Sequence, residues 1–202
     1  MYKEHISDNT VITTAMATLR HIFVHDETLE EPFHPSIKRR LLIYPYRYHF
    51  KNDADLTTAL TTIARREGEE GFYFRYFINN PDPDPEFDGL WYIPFLAPRD
   101  EYLRIAPLEN VCFSPRGTWA LMATYEDYGL LGGTDEFMDH LLQLLPDLDT
   151  QVTTFVEELD LPIVDPGIAA RPLKQLLMHL YGSARARQIF QEANIPYLED
   201  TV

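Results

Sequence analysis

The chain has a single cysteine, Cys112, so it cannot close an internal disulfide. That is the usage of a reducing compartment. No apolar run approaches the ~18–20 residues that cross a bilayer as a helix. The opening residues, MYKEHISDNT, contain neither an apolar core nor a small-residue cleavage site. No export signal is expected there, and a cytoplasmic location is. Internal repeats and low-complexity tracts are also missing. Basic residues are scarce in the middle of the chain: residues 111–170 hold one, Arg116, against eleven Asp and Glu.

That scarcity dominates the composition. The net charge is −15, unevenly placed: +1 over residues 1–52, −7 over 53–110, −10 over 111–170 and +1 over 171–202. Such a field disfavours nucleic acid and anionic membranes and favours a basic protein partner. A coat that serves only solubility is the alternative. Hydrophobic residues make up 45% of the 202, and aromatics 13%, which is enough for a real core.

The longest stretch without a helical period is Glu109 to Gly133, ENVCFSPRGTWALMATYEDYGLLGG. Ser114-Pro115-Arg116-Gly117 has the residues of a type I turn, and Glu126-Asp127-Tyr128-Gly129 is a second turn. Between them, Trp119, Leu121, Ala123 and Tyr125 alternate with Ala120, Met122 and Thr124. Both faces are apolar, so Thr118 to Tyr125 is expected as a central strand covered on both sides. Val111 to Phe113 and Tyr128 to Leu131 are its expected neighbours.

Elsewhere, Val11 to Phe23 has one apolar stripe, capped by Asp8 or Asn9. Asp26 to Arg40 reads as a loop ending in the basic run Lys38-Arg39-Arg40. Leu41 to Phe50 reads as a strand that Pro45 splits or sends to a sheet edge. A second helix spans Asp53 to Gly68. Phe72 to Ile78 and Leu90 to Leu96 are expected as antiparallel partners joined by the turn-rich Asn79 to Gly89. Thr134 caps a helix to Leu145, and Leu148 to Leu161 forms another. Pro162, Pro166 and Gly167 break that helix, Pro172 opens a fifth, and Gly182-Ser183 starts a short sixth. The expectation is one α+β domain: a mostly antiparallel sheet of five to six strands with packing helices over 1–146, and a helical part over 147–202.

No complete chemical motif is present. His21 and His25 are four apart, but two ligands do not make a metal site. Asp82, Asp84, Glu86 and Asp88 alternate up to Gly89 like a calcium loop. Counting from Asp84 puts Phe95 where the bidentate Glu is needed, so no metal is expected. Gly132-Gly133 precedes a helix, yet Asp135 and Glu136 would repel a phosphate, so no cofactor is expected. Ser114 lies in a turn and not in a nucleophile elbow, and Cys112 reads as a small buried hydrophobe. No catalytic residue is assigned. What remains is an acidic surface with aromatics: Asp82, Asp84, Glu86, Asp88, Trp91, Tyr125, Glu126, Asp127 and Tyr128 are the expected partner-binding residues.

The phrase SPRGTWALMATYEDYGLLGG, followed by a helix, resembles a stretch in small acidic bacterial proteins that accompany secreted (polymorphic) toxins as immunity proteins. It covers about a tenth of the chain and carries no functional residues with it. The resemblance implies a protein-binding inhibitor that masks the cationic cleft of a basic toxin. An enzyme with a dispersed site, or a phage-encoded inhibitor of a host defence protein, stays open beside it.

Overall fold

The computed structural model describes residues 4–24, 31–46, 54–76, 89–97, 109–124, 127–159 and 166–197. Its centre is an antiparallel seven-stranded sheet. The strands are β1 (Glu4–Ile6), β2 (Arg39–Ile43), β3 (Gly71–Tyr76), β4 (Leu90–Pro94), β5 (Asn110–Phe113), β6 (Trp119–Ala123) and β7 (Gly129–Gly133). Their order across the sheet is β1-β4-β3-β5-β6-β7-β2. The α+β expectation holds, with seven strands in place of five to six. The extra strand, β1, is three residues long and carries one apolar side chain, so it has no period to read.

The expected meander is there. β6 lies between β5 and β7, with Cys112 opposite Leu121 and Leu121 opposite Leu131. All five of its residues are buried. Trp119, Leu121 and Ala123 face one cluster, while Ala120 and Met122 face the other. The first predicted turn closes, the Gly117 N–H donating to the Ser114 carbonyl at 3.1 Å. Glu126 of the second lies outside the described residues; on either side of it the Thr124 N–H donates to the Tyr128 carbonyl at 3.0 Å. β2 is the outer strand and stops before Pro45, as a strand lacking the next N–H donor must.

Helices cover both faces. On the Trp119 face lie α2 (Ala54–Arg66), through Leu56, Leu60 and Ile63, and α3 (Asp135–Leu144), through Phe137, Met138 and Leu141. On the opposite face lie α1 (Asn9–Arg20), α4 (Gln151–Glu158) and α5 (Pro166–Glu192). The Asp8 carboxylate caps α1, accepting from the Thr10 N–H at 2.7 Å, and the Thr134 side chain caps α3.

Two helix boundaries differ from expectation. Pro146–Thr150 forms a 3-10 turn ahead of α4, so the expected single helix from Leu148 is two pieces. α5 starts at Pro166, with Pro172 inside it. A proline at the first helical position gives up an N–H that would have no partner anyway, whereas Pro172 removes one internal bond. Gly182, at φ 77° and ψ 163°, breaks α5 into two segments. That backbone state is open essentially to glycine alone, so the expected new start at Gly182-Ser183 holds as a kink.

Candidate functional site

The expected contact residues divide into three groups. Asp82, Asp84, Glu86, Asp88, Tyr125 and Glu126 lie outside the described residues. Asp127 is described and half-buried, at φ 59°, and its carbonyl accepts from the Tyr46 N–H at 2.7 Å. Trp91 and Tyr128 are core, and this corrects their reading as surface anchors. Trp91 is 7% exposed, packed on Phe74, Tyr76 and His5. Tyr128 is fully buried, its ring 5.0 Å from Phe155. Phe155 of α4 covers Tyr128, while rings from the neighbouring strands β1 and β3 close around Trp91.

What the acidic middle does present is a belt over residues 134–159. It runs through α3, the 3-10 turn and α4, and passes around the β2 edge. Leu148 belongs to the cluster on one face, while Val152, Phe155 and Val156 belong to the other. The belt holds seven acids and no Lys or Arg. Asp135, Glu136, Asp139, Asp147, Glu157 and Glu158 are exposed, as is Leu144 at 45%. Asp135 and Glu136 sit at the positive end of α3, which offsets part of their mutual repulsion. Asp149 is half-buried. Burial raises its carboxyl above the usual range, and the nearby Arg185 and Arg39 oppose that rise.

The belt and α5 together cover the β2 edge of the sheet. The Leu42 N–H donates to Tyr181 Oη at 2.9 Å, and the Tyr44 N–H to Gln151 Oε1 at 3.0 Å. Outward backbone donors of the strand are therefore met by helix side chains, and a partner would meet side chains here, not a strand edge. The Tyr44 hydroxyl donates to Glu158 Oε2 at 2.7 Å, which holds that carboxylate at the surface.

The basic run Lys38-Arg39-Arg40 is committed within the chain. Lys38 Nζ donates to the Pro35 carbonyl at 2.5 Å, and Arg39 pairs with Asp139 at 2.8 Å. Arg40 donates to the carbonyls of Ile37 at 2.6 Å and His179 at 2.5 Å. Its Nη1 lies 3.1 and 3.2 Å from the two His179 ring nitrogens. An in-plane bond to one nitrogen cannot give equal distances to both, so the guanidinium lies over the imidazole face. His179 Nε2 also accepts the Phe33 N–H at 3.1 Å. The pairings of His179 with Arg40 and Phe33 span 139 and 146 residues, and no local pattern announces them.

The nucleophile candidates are interior. Cys112 is 2% exposed, and burial raises its thiol well above the usual range. Ser114 is fully buried and its hydroxyl donates to Glu69 Oε1. Ser114 Oγ in turn accepts the N–H groups of Arg116 at 2.9 Å and Thr118 at 3.2 Å. Trp119 Nε1 donates to Glu69 Oε2 at 3.4 Å. Glu69 thus ties the α2–β3 connection to the β5–β6 turn.

Burial raises the Glu69 carboxyl above its ordinary value, against the lowering effect of the Ser114 and Trp119 hydrogen bonds. The folded state then holds this proton more tightly than the unfolded chain. Its contribution is fully present below the unfolded carboxyl value and is lost as pH rises through the folded one. The urea midpoint followed against pH should show this as a component that falls as pH rises above the ordinary Glu value. In Glu69→Gln that component should vanish; an identical pH profile in the two proteins would contradict the assignment.

Among the described residues, no group of three His, Cys, Asp or Glu side chains is placed to hold a metal ion. His21 meets His34 edge-on with ring centres 6.5 Å apart, while His25 is outside the described residues. No helix among the described residues is long and apolar enough to cross a membrane. Comparisons with protein-family models, with curated proteins and with solved structures gave no match to this chain.

Proposed function

We propose that this protein binds and inhibits a basic protein, and that the partner is a bacterial toxin against which it gives immunity. The observation that carries the reading is the belt of residues 134–159: seven acids with no Lys or Arg among its own residues, and Leu144 exposed, on a chain of net charge −15. Self-repulsion makes such a density mildly unfavourable for folding, so binding is a reason for it to be there. An exposed leucine on a surface rich in acids supports a protein-binding reading. The toxin form of the reading rests on the resemblance of SPRGTWALMATYEDYGLLGG to immunity proteins. A phage inhibitor of host defence would use the same chemistry on a different partner.

The test is co-expression. A toxin gene beside this one should arrest growth when expressed alone, and this chain should restore it. Glu136→Gln, Asp147→Asn and Glu157→Gln together should weaken the rescue while leaving the fold intact, since all three side chains are exposed. Neighbouring genes that are harmless alone, or growth arrest that this chain does not relieve, would overturn the immunity reading.

A further inference from the structure

The segment that leads into β2 is held down by imidazoles acting as acceptors. The Phe33 N–H donates to His179 Nε2 of α5 at 3.1 Å, and the Ser36 N–H donates to His34 Nδ1 at 3.2 Å. A backbone N–H can only donate, so each of those ring nitrogens is without a proton and each imidazole is neutral in this arrangement. The two rings differ in burial. His34 is half-buried, and its Nδ1 also meets Ser36 Oγ at 2.7 Å. The His179 side chain is 7% exposed, and its ring stacks on that of Phe33 with centres 6.1 Å apart.

Charge makes the His179 ring the sensitive one. Arg40 faces it from β2, with Nη1 over the ring, and ties down the same segment by donating to the carbonyls of Ile37 at 2.6 Å and His34 at 3.4 Å. Glu31 faces it from ahead of Phe33, 3.8 Å from Nδ1. A proton on Nε2 would set two N–H groups against each other and add a positive charge beside Arg40. Glu31 favours the imidazolium, but its side chain is 80% exposed, so water weakens that attraction. The lost hydrogen bond and the repulsion from Arg40 act close in, where the ring is shielded from water, and they outweigh it.

We propose that His179 is a pH-operated clasp on residues 33–37: neutral, it holds their backbone against α5, and protonated, it releases that backbone. The effect reaches beyond one hydrogen bond, because the guanidinium that the new charge repels also carries the Ile37 and His34 carbonyls. The clasp is whole above the ordinary histidine range and opens as pH falls through it. What it exposes is apolar: Phe33 is 1% exposed, meets the Phe23 ring at 4.5 Å and covers Gly132 of β7, where a Cβ would collide with it. The inference is independent of the acidic belt and does not rest on the proposed function.

The experiment is amide hydrogen exchange on the full chain by NMR, from about pH 8 down to about pH 5, the span that brackets histidine titration. Each rate is divided by its intrinsic rate at that pH, and the β6 amides serve as the reference for global opening. Phe33 protection should fall about tenfold relative to β6 as the pH drops, as the loss of one hydrogen bond implies. His179→Gln keeps an acceptor that does not titrate, so its Phe33 protection should stay level. His34→Gln should leave the Phe33 fall in place, which separates the two imidazoles. The ring-nitrogen shifts of the wild type give a reading that needs no variant: at about pH 8, Nε2 of His179 should be bare and Nδ1 protonated. A proton on Nε2 at that pH, Phe33 protection that stays level with β6 down to about pH 5, or a fall in His179→Gln as large as in the wild type would each overturn the proposal.

Discussion

Replacing Trp119 with alanine should lower the unfolding free energy by about 3–5 kcal/mol. The indole is fully buried on an interior strand. It stacks at 6.0 Å and 21° on Phe137 of α3 and lies 6.2 Å from Phe72 of β3. Truncation removes its transfer energy and leaves a cavity between two elements that cannot close on it. It also takes a donor from the buried Glu69 carboxyl, which then loses a partner in a place that water reaches poorly. For a chain of this size the melting temperature should fall by roughly 10 °C. Trp119→Phe keeps one ring for the stack but loses the N–H and part of the buried volume, so its loss should be smaller, ~1–3 kcal/mol. A change under ~1 kcal/mol in Trp119→Ala, by urea unfolding, would contradict the packing described for β6.

The second large effect is expected at Gly133, the residue opposite Trp119. A Cβ there would run into the Thr118 carbonyl oxygen and stand 3.2 Å from Trp119 Cα. Both obstacles are backbone, so no rotamer change relieves them. That same carbonyl accepts the Thr134 N–H at 2.9 Å, just where Thr134 caps α3. Gly133→Ala should therefore disturb the β6–β7 ladder and the start of α3 together. The expected loss is about 3 kcal/mol, at the upper end for overpacking. Hydrogen exchange should show it as lost protection at the first turn of α3 as well as in β6 and β7. Wild-type stability in Gly133→Ala would mean that the two strands have room the structure does not show.

These two positions also mark how much of the fold was legible. The meander could be read because its turns use residues with fixed backbone preferences and its central strand alternates between two apolar faces. Asp8 and Thr134 were readable as caps because capping acts over two or three residues. β1 was not, since Glu4, His5 and Ile6 carry no apolar period. The return of β2 to pair with β7 was equally invisible, because strand order is decided by packing across the whole sheet.

The candidate site was less legible than the fold. The acidic middle was evident from charge alone, and the belt of residues 134–159 is part of it. Trp91 and Tyr128 misled because an aromatic in a strand has the same local pattern whether a helix covers it or water does. Glu69 with Ser114, and Arg40 with His179, escaped notice because their partners are distant in sequence. The chain reversal at Asn194 had one local signal, an asparagine just after a helix, which is what a helix stop looks like.

The central claim is electrostatic capture of a basic protein, and the association rate against salt tests it most directly. The measurement uses the purified basic protein that the proposal requires as partner, with three forms of this chain. These are the wild type, the belt variant Glu136→Gln, Asp147→Asn, Glu157→Gln, and the loop-and-tip variant Asp84→Asn, Glu86→Gln, Glu126→Gln, Asp127→Asn. Long-range attraction acts on encounter, while short-range contacts govern release. The wild-type on-rate should fall as salt rises through ~0.15 M, where screening shortens to about 8 Å. At low salt the belt variant should associate several-fold more slowly, with a smaller change in dissociation. Should the loop-and-tip variant be the slower one, the contact lies on that part of the acidic middle. An on-rate that ignores salt and is unchanged in both variants would reduce the acidic middle to a solubility coat and contradict the account.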